Sequence, residues 1–121
     1  MTSQPRRLPH LSVAVGEVTV IRFRQAEVSL DEETARAVSD ELLDLVDEAT
    51  RGTAVFEFGN VHYLTSTMLG VLIDLHKRLR AAGGQLIVQN VQPEVYDIFD
   101  VTRLNRLFAV RPALSSPVAP D

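Results

Sequence analysis

The sequence of 121 residues contains no cysteine and no long apolar run. Without cysteine the chain can form no disulfide and perform no thiol chemistry, which fits a cytoplasmic protein. The longest apolar runs are a few residues long, whereas a membrane-spanning helix needs about 20. Arg6 and Arg7 are followed by Pro9 and His10 and not by the apolar core of a signal peptide. We therefore expect a cytoplasmic protein with no membrane contact.

The sequence also lacks the motifs of most enzymes. It has no phosphate-binding GxxxxGK[ST] or GxGxxG loop, and its histidines (His10, His62 and His76) are far apart, unlike the clustered ligands of a zinc site. Ser66, His62 and Asp74 could be arranged as a hydrolase triad only on paper, because no GxSxG surrounds the serine. We predict that the protein is not an enzyme and uses no metal or cofactor.

Size and charge indicate one globular domain that does not bind nucleic acid. Apolar residues make up 45% of the chain and charged residues 23%, and the formal net charge is −4. Nine of the sixteen acids fall between Glu27 and Glu48. Since such runs usually line the solvated face of a helix, we expect these acids to face solvent.

Apolar periodicity predicts the elements in the order β-β-α-β-α-β-α. Alternation in residues 11–15 and 18–23 indicates a hairpin, and apolar runs at 54–58 and 85–88 indicate buried strands. Apolar residues recur at helical spacing after residue 31, in residues 66–82 and, after Pro93, in residues 94–99. We predict an α/β domain at residues 10–112, with a mixed sheet of about four to five strands packed against helices. Residues 1–9 and 113–121 are predicted to be a flexible lead and tail.

Several polar residues within these elements carry separate predictions. Ser29 or Asp31 should cap the first long helix. Glu57 should face solvent or pair with an arginine. His76, on the apolar stripe of the helix at 66–82, should lie in or beside the core with its nitrogens hydrogen-bonded.

Three hydroxyl residues, Thr65, Ser66 and Thr67, stand where the helix at 66–82 begins. One of them is expected to cap the helix, since hydroxyl oxygens accept hydrogen bonds from the first free amides. A helix start also stabilises anions, because its first amides are unpaired and the peptide dipoles add there. A phosphate on Ser66 would therefore be well accommodated, which favours a switch over an active site.

Residues 54–110 resemble the STAS domain of anti-anti-sigma factors, also called anti-sigma factor antagonists. The resemblance rests on residues 64–70 (LTSTMLG), 82–86 (AGGQL) and 93–99 (PEVYDIF), in the family's order and spacing, together with Leu104, Asn105, Leu107 and Phe108. It implies a regulatory protein that binds an anti-sigma factor. That partner is also the serine kinase of the antagonist, and a PP2C-type phosphatase reverses the modification. A monomer or weak dimer is expected.

The resemblance also implies roles for individual residues. The family loop typically reads D-S-S-G-hydrophobic-G, which places the phosphorylated serine at Ser66, with Thr65 and Thr67 as the alternatives. Thr65 replaces the aspartate and Met68 replaces a glycine, while Gly70 matches a glycine expected to make room for helix packing. The implied partner-binding residues are His62, Tyr63, Thr65, Ser66, Thr67, Met68 and Leu69. Two other functions stay open, namely a constitutive STAS scaffold and a module that senses a nucleotide, lipid or other small ligand.

Overall fold

The computed structural model describes residues 6–49 and 52–113 and divides them into strands, helices and one 3-10 turn. The strands are β1 (Arg6–Arg7), β2 (Leu11–Ala14), β3 (Val18–Phe23), β4 (Val28–Leu30), β5 (Thr53–Glu57), β6 (Val61–Leu64), β7 (Gln85–Val91) and β8 (Ala109–Pro112). The helices are α1 (Glu32–Ala49), α2 (Ser66–Ala81) and α3 (Pro93–Val101), and the 3-10 turn covers Leu104–Arg106. Within the described ranges no helix is long and apolar enough to cross a membrane.

Six strands form the main sheet, in the order β1-β2-β3-β5-β7-β8. The predicted hairpin is confirmed, with β2 and β3 antiparallel and Leu11 opposite Phe23. From β3 to β8 each neighbouring pair is parallel, so the mixed α/β class is confirmed as well. The predicted strand number is too low, because β1 and β8 contain only two and four residues and carry little apolar pattern.

Part of the predicted flexible lead belongs to this sheet. Arg6 and Arg7 pair with Val13 and Ser12 as an antiparallel edge strand. At the other end, the amide of Ala113 donates to the carbonyl of Val91 at 2.8 Å. The rest of the predicted lead and tail, residues 1–5 and 114–121, lies outside the described residues.

A second, two-stranded parallel sheet joins β4 to β6 and pairs Leu30 with Leu64. Neither strand was predicted. β4 has only three residues, and β6 exposes its two middle residues while burying its ends, so neither gives a clear period of two. This small sheet carries the chain directly into α2.

One face of the main sheet is buried and the opposite face is partly open. In β5, Ala54 and Phe56 are fully buried, whereas Val55 and Glu57 are half-buried. The apolar run at 54–58 therefore does not mark a strand buried on both sides. The Glu57 carboxylate accepts a hydrogen bond from the Gln89 side chain on β7, and the expected arginine partner is absent from the described contacts.

Helix boundaries follow local signals. Asp31 caps α1 as predicted, since its Oδ1 accepts from the Thr34 amide at 2.8 Å, and this backbone hydrogen bond lowers the pKa of the Asp31 carboxyl. Pro93 opens α3 as predicted. After α2, Gly83 adopts φ +87°, and the Gly84 amide donates to the Leu79 carbonyl at 2.7 Å, which ends the helix.

Glu41 departs from the expected solvated acidic face of α1. It is only 8% exposed, and its carboxylate accepts from the backbone amide of His10 at 3.0 Å and lies 2.6 Å from His10 Nδ1. A charge withdrawn from water needs such partners, so this residue ties α1 to the start of β2.

His76 is buried as predicted, but its Nδ1 has no hydrogen-bond partner, which corrects the expectation for its nitrogens. The ring packs against Phe108, with 5.6 Å between the ring centroids. Burial, followed by the positive charges of Arg80 and Lys77, lowers the pKa of His76 below its ordinary 6.5.

We expect His76 to make the stability of the domain depend on pH. Because the folded-state pKa lies below 6.5, the unfolded chain binds more protons between the two values. The free energy of unfolding should be highest above pH 6.5 and fall as the pH drops through the folded pKa. Urea titrations across this range should show a flatter dependence for His76→Phe than for the wild type. Equal slopes for His76→Phe and the wild type would contradict this account.

Candidate functional site

The candidate site is the junction of β6 and α2. Thr65 precedes the helix in an extended conformation, with φ −100° and ψ 171°. Its amide and its hydroxyl both donate to the Leu30 carbonyl, at 3.1 and 3.3 Å. The helix start is thus fixed to the end of β4, and the Thr65 side chain makes no capping bond. The expected hydroxyl cap of α2 is wrong, because that hydroxyl is engaged with β4.

The start of α2 consequently offers free donors. The amides of Met68 and Leu69 bond to the Thr65 carbonyl at 3.0 and 3.3 Å, whereas those of Ser66 and Thr67 have no acceptor among the described residues. Ser66 is exposed and Thr67 half-buried, and the first turn holds no acid. Two unpaired amides beside an exposed hydroxyl form a local positive field that favours an anion.

Exposed side chains flank this junction on β6. Tyr63 is 53% exposed, and His62, also exposed, places its Nδ1 3.7 Å from Glu94 Oε2 on α3. Leu69, one turn into α2, is half-buried. His62, Tyr63 and Leu69 are thus near Ser66 in the chain and at least partly exposed, and their role in binding a partner stays a prediction.

Met68 does not belong to this surface. It is fully buried and shares the inner stripe of α2 with Leu72, Leu75 and Leu79. The expectation that Met68 contacts a partner is therefore wrong, since helical spacing from these leucines directs it into the core.

No hydrolase triad assembles here. The carboxylate near His62 belongs to Glu94, and Asp74 instead pairs with Arg78 at 3.5 Å. No hydrogen bond joins Ser66 to His62 among the described contacts. Within the same ranges, no three His, Cys, Asp or Glu side chains are grouped in a way that could hold a metal ion.

Gly70 lies on the exposed side of α2, one turn after Ser66. A Cβ built there meets nothing within 4 Å, so the expectation that helix packing requires this glycine is wrong. The absent side chain instead leaves the outer surface of the helix flat beside Ser66, a feature that the sequence alone did not reveal.

Gly70→Ala should stabilise the folded domain. Alanine in a helix interior is favoured over glycine by about 0.5–1 kcal/mol, and nothing obstructs the added methyl group. Urea unfolding followed by circular dichroism should show a higher midpoint with an unchanged slope. A lower midpoint would mean that the methyl group meets an obstacle and that the outer side of α2 is not open.

Comparison with known proteins identifies the family of this chain. The sequence model of the STAS domain matches residues 13–116, which include the whole junction. The chain belongs to the STAS domain family.

Relatives of this STAS domain carry the description of anti-sigma factor antagonists. BtrV of Bordetella bronchiseptica, a proposed anti-sigma factor antagonist, is 29% identical over 76 residues, which cover 63% of this chain and 65% of BtrV. The matched segment is thus slightly less than two thirds of that relative's length.

Solved structures share the fold at low sequence identity. An anti-sigma-factor antagonist (STAS) domain protein from Planctomyces limnophilus has a TM-score of 0.76 at 19% identity, covering 84% of this chain and 89% of the other. The Bacillus cell fate determinant SpoIIAA in its phosphorylated form has a TM-score of 0.60 at 18% identity, covering 88% of each chain. Unphosphorylated SpoIIAA, described as an anti-sigma factor antagonist, gives a TM-score of 0.66 at 19% identity and covers 88% and 85%.

Proposed function

We propose that this STAS domain is a cytoplasmic anti-sigma factor antagonist that is switched by phosphorylation of Ser66. The observation that carries the proposal is the exposed Ser66 hydroxyl beside the unpaired amides of Ser66 and Thr67. The relation to SpoIIAA, which exists in phosphorylated and unphosphorylated forms, supports the proposal. The protein acts by binding its partner and performs no catalysis of its own.

The partner in this proposal is an anti-sigma factor that is also a serine kinase. It transfers the γ-phosphoryl group of ATP to Ser66 Oγ, releasing ADP and the hydroxyl proton. A PP2C-type phosphatase hydrolyses the phosphoserine and restores the hydroxyl. Phosphate adds a charge of about −1.5 to −2 and three acceptor oxygens, and the free amides at the start of α2 stabilise it in the unbound protein.

The docking surface in this proposal consists of His62, Tyr63, Ser66, Leu69 and Gly70. Tyr63 supplies the largest exposed apolar area, and Gly70 lets a partner approach the helix closely. Because this surface is mostly neutral, a partner that covers it would have to desolvate a phosphate placed at its centre. That desolvation cost favours the free protein over the complex once Ser66 is phosphorylated.

A phosphorylation assay tests the assignment of Ser66. The purified protein is incubated with ATP and, in turn, with each anti-sigma factor kinase encoded in the same genome, and its intact mass is measured. We expect a gain of one phosphate that fragmentation places on Ser66 and that Ser66→Ala abolishes. Thr65→Ala and Thr67→Ala should leave the phosphorylation in place. Phosphate that persists in Ser66→Ala, or no phosphate with any kinase, would contradict the proposal.

Tyr63→Ala should weaken binding to the anti-sigma factor by at least about tenfold, as expected when an aromatic anchor is removed from an interface. Isothermal titration calorimetry with the unphosphorylated protein measures the loss. Val101→Ala provides the control, since Val101 is 81% exposed at the far end of α3 and outside the docking surface. Equal affinities for the Tyr63→Ala variant and the wild type would place the interface elsewhere.

A further inference from the structure

A second site lies at the opposite end of α2, where the helix meets the 3-10 turn. A cleft of about 300 Å³ opens there between the last turn of α2, the start of β7 and the segment before β8. Its polar and aromatic lining comprises His76, Arg80, Gln85, Asn105, Arg106 and Phe108. His76, the first cleft residue on α2, lies ten residues after Ser66, which is about 15 Å along the helix, so the cleft is separate from the docking surface.

The charge of this cleft is unbalanced. Arg80 and Arg106 are both exposed, and neither forms an ion pair with any described residue. The nearby acids have other partners, because Asp74 pairs with Arg78 and Asp100 accepts from the Asn105 side chain at 3.0 Å. Two guanidinium groups thus line one cleft without a carboxylate, an arrangement that suits a doubly charged oxyanion.

His76 supplies a second, independent observation, an unsatisfied buried nitrogen on a residue that lines the cleft. It is 7% exposed, lines the cleft, and leaves Nδ1 without a hydrogen-bond partner. Buried polar atoms in native proteins are rarely left unsatisfied, and such exceptions often occur at binding sites. Burial, followed by the positive charges of Arg80 and Lys77, lowers the pKa of His76.

The remaining lining gives the cleft an apolar side. Phe108 packs against His76 at the bottom, and Leu107 is 43% exposed at the rim. Gln85 and Asn105 add amide groups that can hydrogen-bond a polar substituent. A volume at the lower end of the range for small-molecule sites leaves space for more than a bare ion.

We propose that this cleft binds a small phosphate monoester, with Arg80 and Arg106 holding the phosphate and Leu107 and Phe108 contacting an apolar or aromatic substituent. The arginines supply charge-assisted hydrogen bonds, and the bound phosphate offsets the positive surroundings of His76. The proposal is independent of Ser66 and of the docking surface.

Nuclear magnetic resonance titrations test this site with inorganic phosphate and with phenyl phosphate, against sodium chloride at matched ionic strength. We expect saturable shifts of His76, Gln85 and the residues of the 3-10 turn with both phosphates and not with chloride. Phenyl phosphate should bind more tightly. Arg80→Gln and Arg106→Gln should each weaken binding by about tenfold or more, as expected for loss of a charged hydrogen bond. Arg111→Gln, which removes an exposed arginine outside the cleft, should leave the affinity unchanged.

Three results would overturn the proposal. Shifts that match those with chloride would show general ionic effects and no site. Shifts confined to the amides of Ser66 and Thr67 would place the anion at the start of α2. An equal loss of affinity in Arg111→Gln would show that net charge, and not the cleft, attracts phosphate. Equal affinities for phenyl phosphate and inorganic phosphate would overturn the apolar part of the proposal.

Discussion

Gly84→Ala is expected to destabilise the domain by at least about 3 kcal/mol, at or beyond the upper end of ordinary overpacking. An added Cβ would overlap the carbonyl oxygen of Gly52 and lie 3.1 Å from its carbon and 3.4 Å from its nitrogen. These are backbone atoms, which cannot rotate away as the end of a side chain can. The overlap lies where β5 and β7 begin to pair, with Thr53 opposite Gln85, so relief requires moving the centre of the main sheet.

Urea unfolding of Gly84→Ala, with Gly16→Ala as the control, measures this loss of stability. Gly16 lies exposed between β2 and β3, and a Cβ there would lie 3.6 Å from the Val18 carbonyl oxygen, which is ordinary contact. Gly16→Ala should therefore change the free energy of unfolding by less than about 1 kcal/mol. If the two variants unfold at similar urea concentrations, the close approach of Gly84 to Gly52 does not hold in solution. If Gly84→Ala does not fold at all, the prediction is met in its extreme form.

The central part of the fold could be predicted from the sequence because its signals are local. Alternation specified the β2–β3 hairpin, and Asp31, Pro93 and Gly83 marked helix ends through their own backbone chemistry. Each of these signals acts within a few residues. They therefore do not depend on knowing which segments meet in the folded chain.

The missed features depend on contacts between distant segments. β4 and β6 are short strands that exist through pairing with each other, and no period within either reveals the other. Glu41 is buried because His10, thirty-one positions away, supplies its partners. The hydroxyl of Thr65 fails to cap α2 because the Leu30 carbonyl, thirty-five positions away, takes it. In each case a long-range contact overrides a correct local preference.

In the candidate site, too, some features had a signal in the sequence and others did not. The helix start and the family resemblance both point to Ser66; the structure exposes this residue, and its phosphorylation stays a prediction. Met68 is buried because helical spacing places it on the inner stripe of α2, whereas the loop motif implied a surface position. The cleft at His76 had no sequence signal, since Arg80, Gln85 and Arg106 come from three separate elements.

Phosphorylation of Ser66 is expected to weaken binding to the anti-sigma factor by at least about a hundredfold, which follows from burying an unpaired charge in a packed interface. Ser66→Asp should produce a smaller loss in the same direction, because a carboxylate has one charge and fewer oxygens than a phosphate. Ser66→Ala should bind as tightly as the unmodified wild type. Its stability should change by less than about 0.5 kcal/mol, since Ser66 is exposed and the N-cap position of α2 is held by Thr65.

Calorimetry separates this mechanism from a general effect of negative charge. The affinities to compare are those of the phosphorylated protein, Ser66→Asp, Ser66→Ala and Ser12→Asp. Ser12 lies on β2 opposite Arg7 on one side and Arg22 on the other, so a new carboxylate there meets two cations and lies outside the docking surface. Ser12→Asp should bind like the wild type. If it loses as much affinity as Ser66→Asp, long-range repulsion by an acidic partner governs binding. If phosphorylated protein binds as well as unmodified protein, Ser66 lies outside the interface, and a phosphate on it cannot act as the switch.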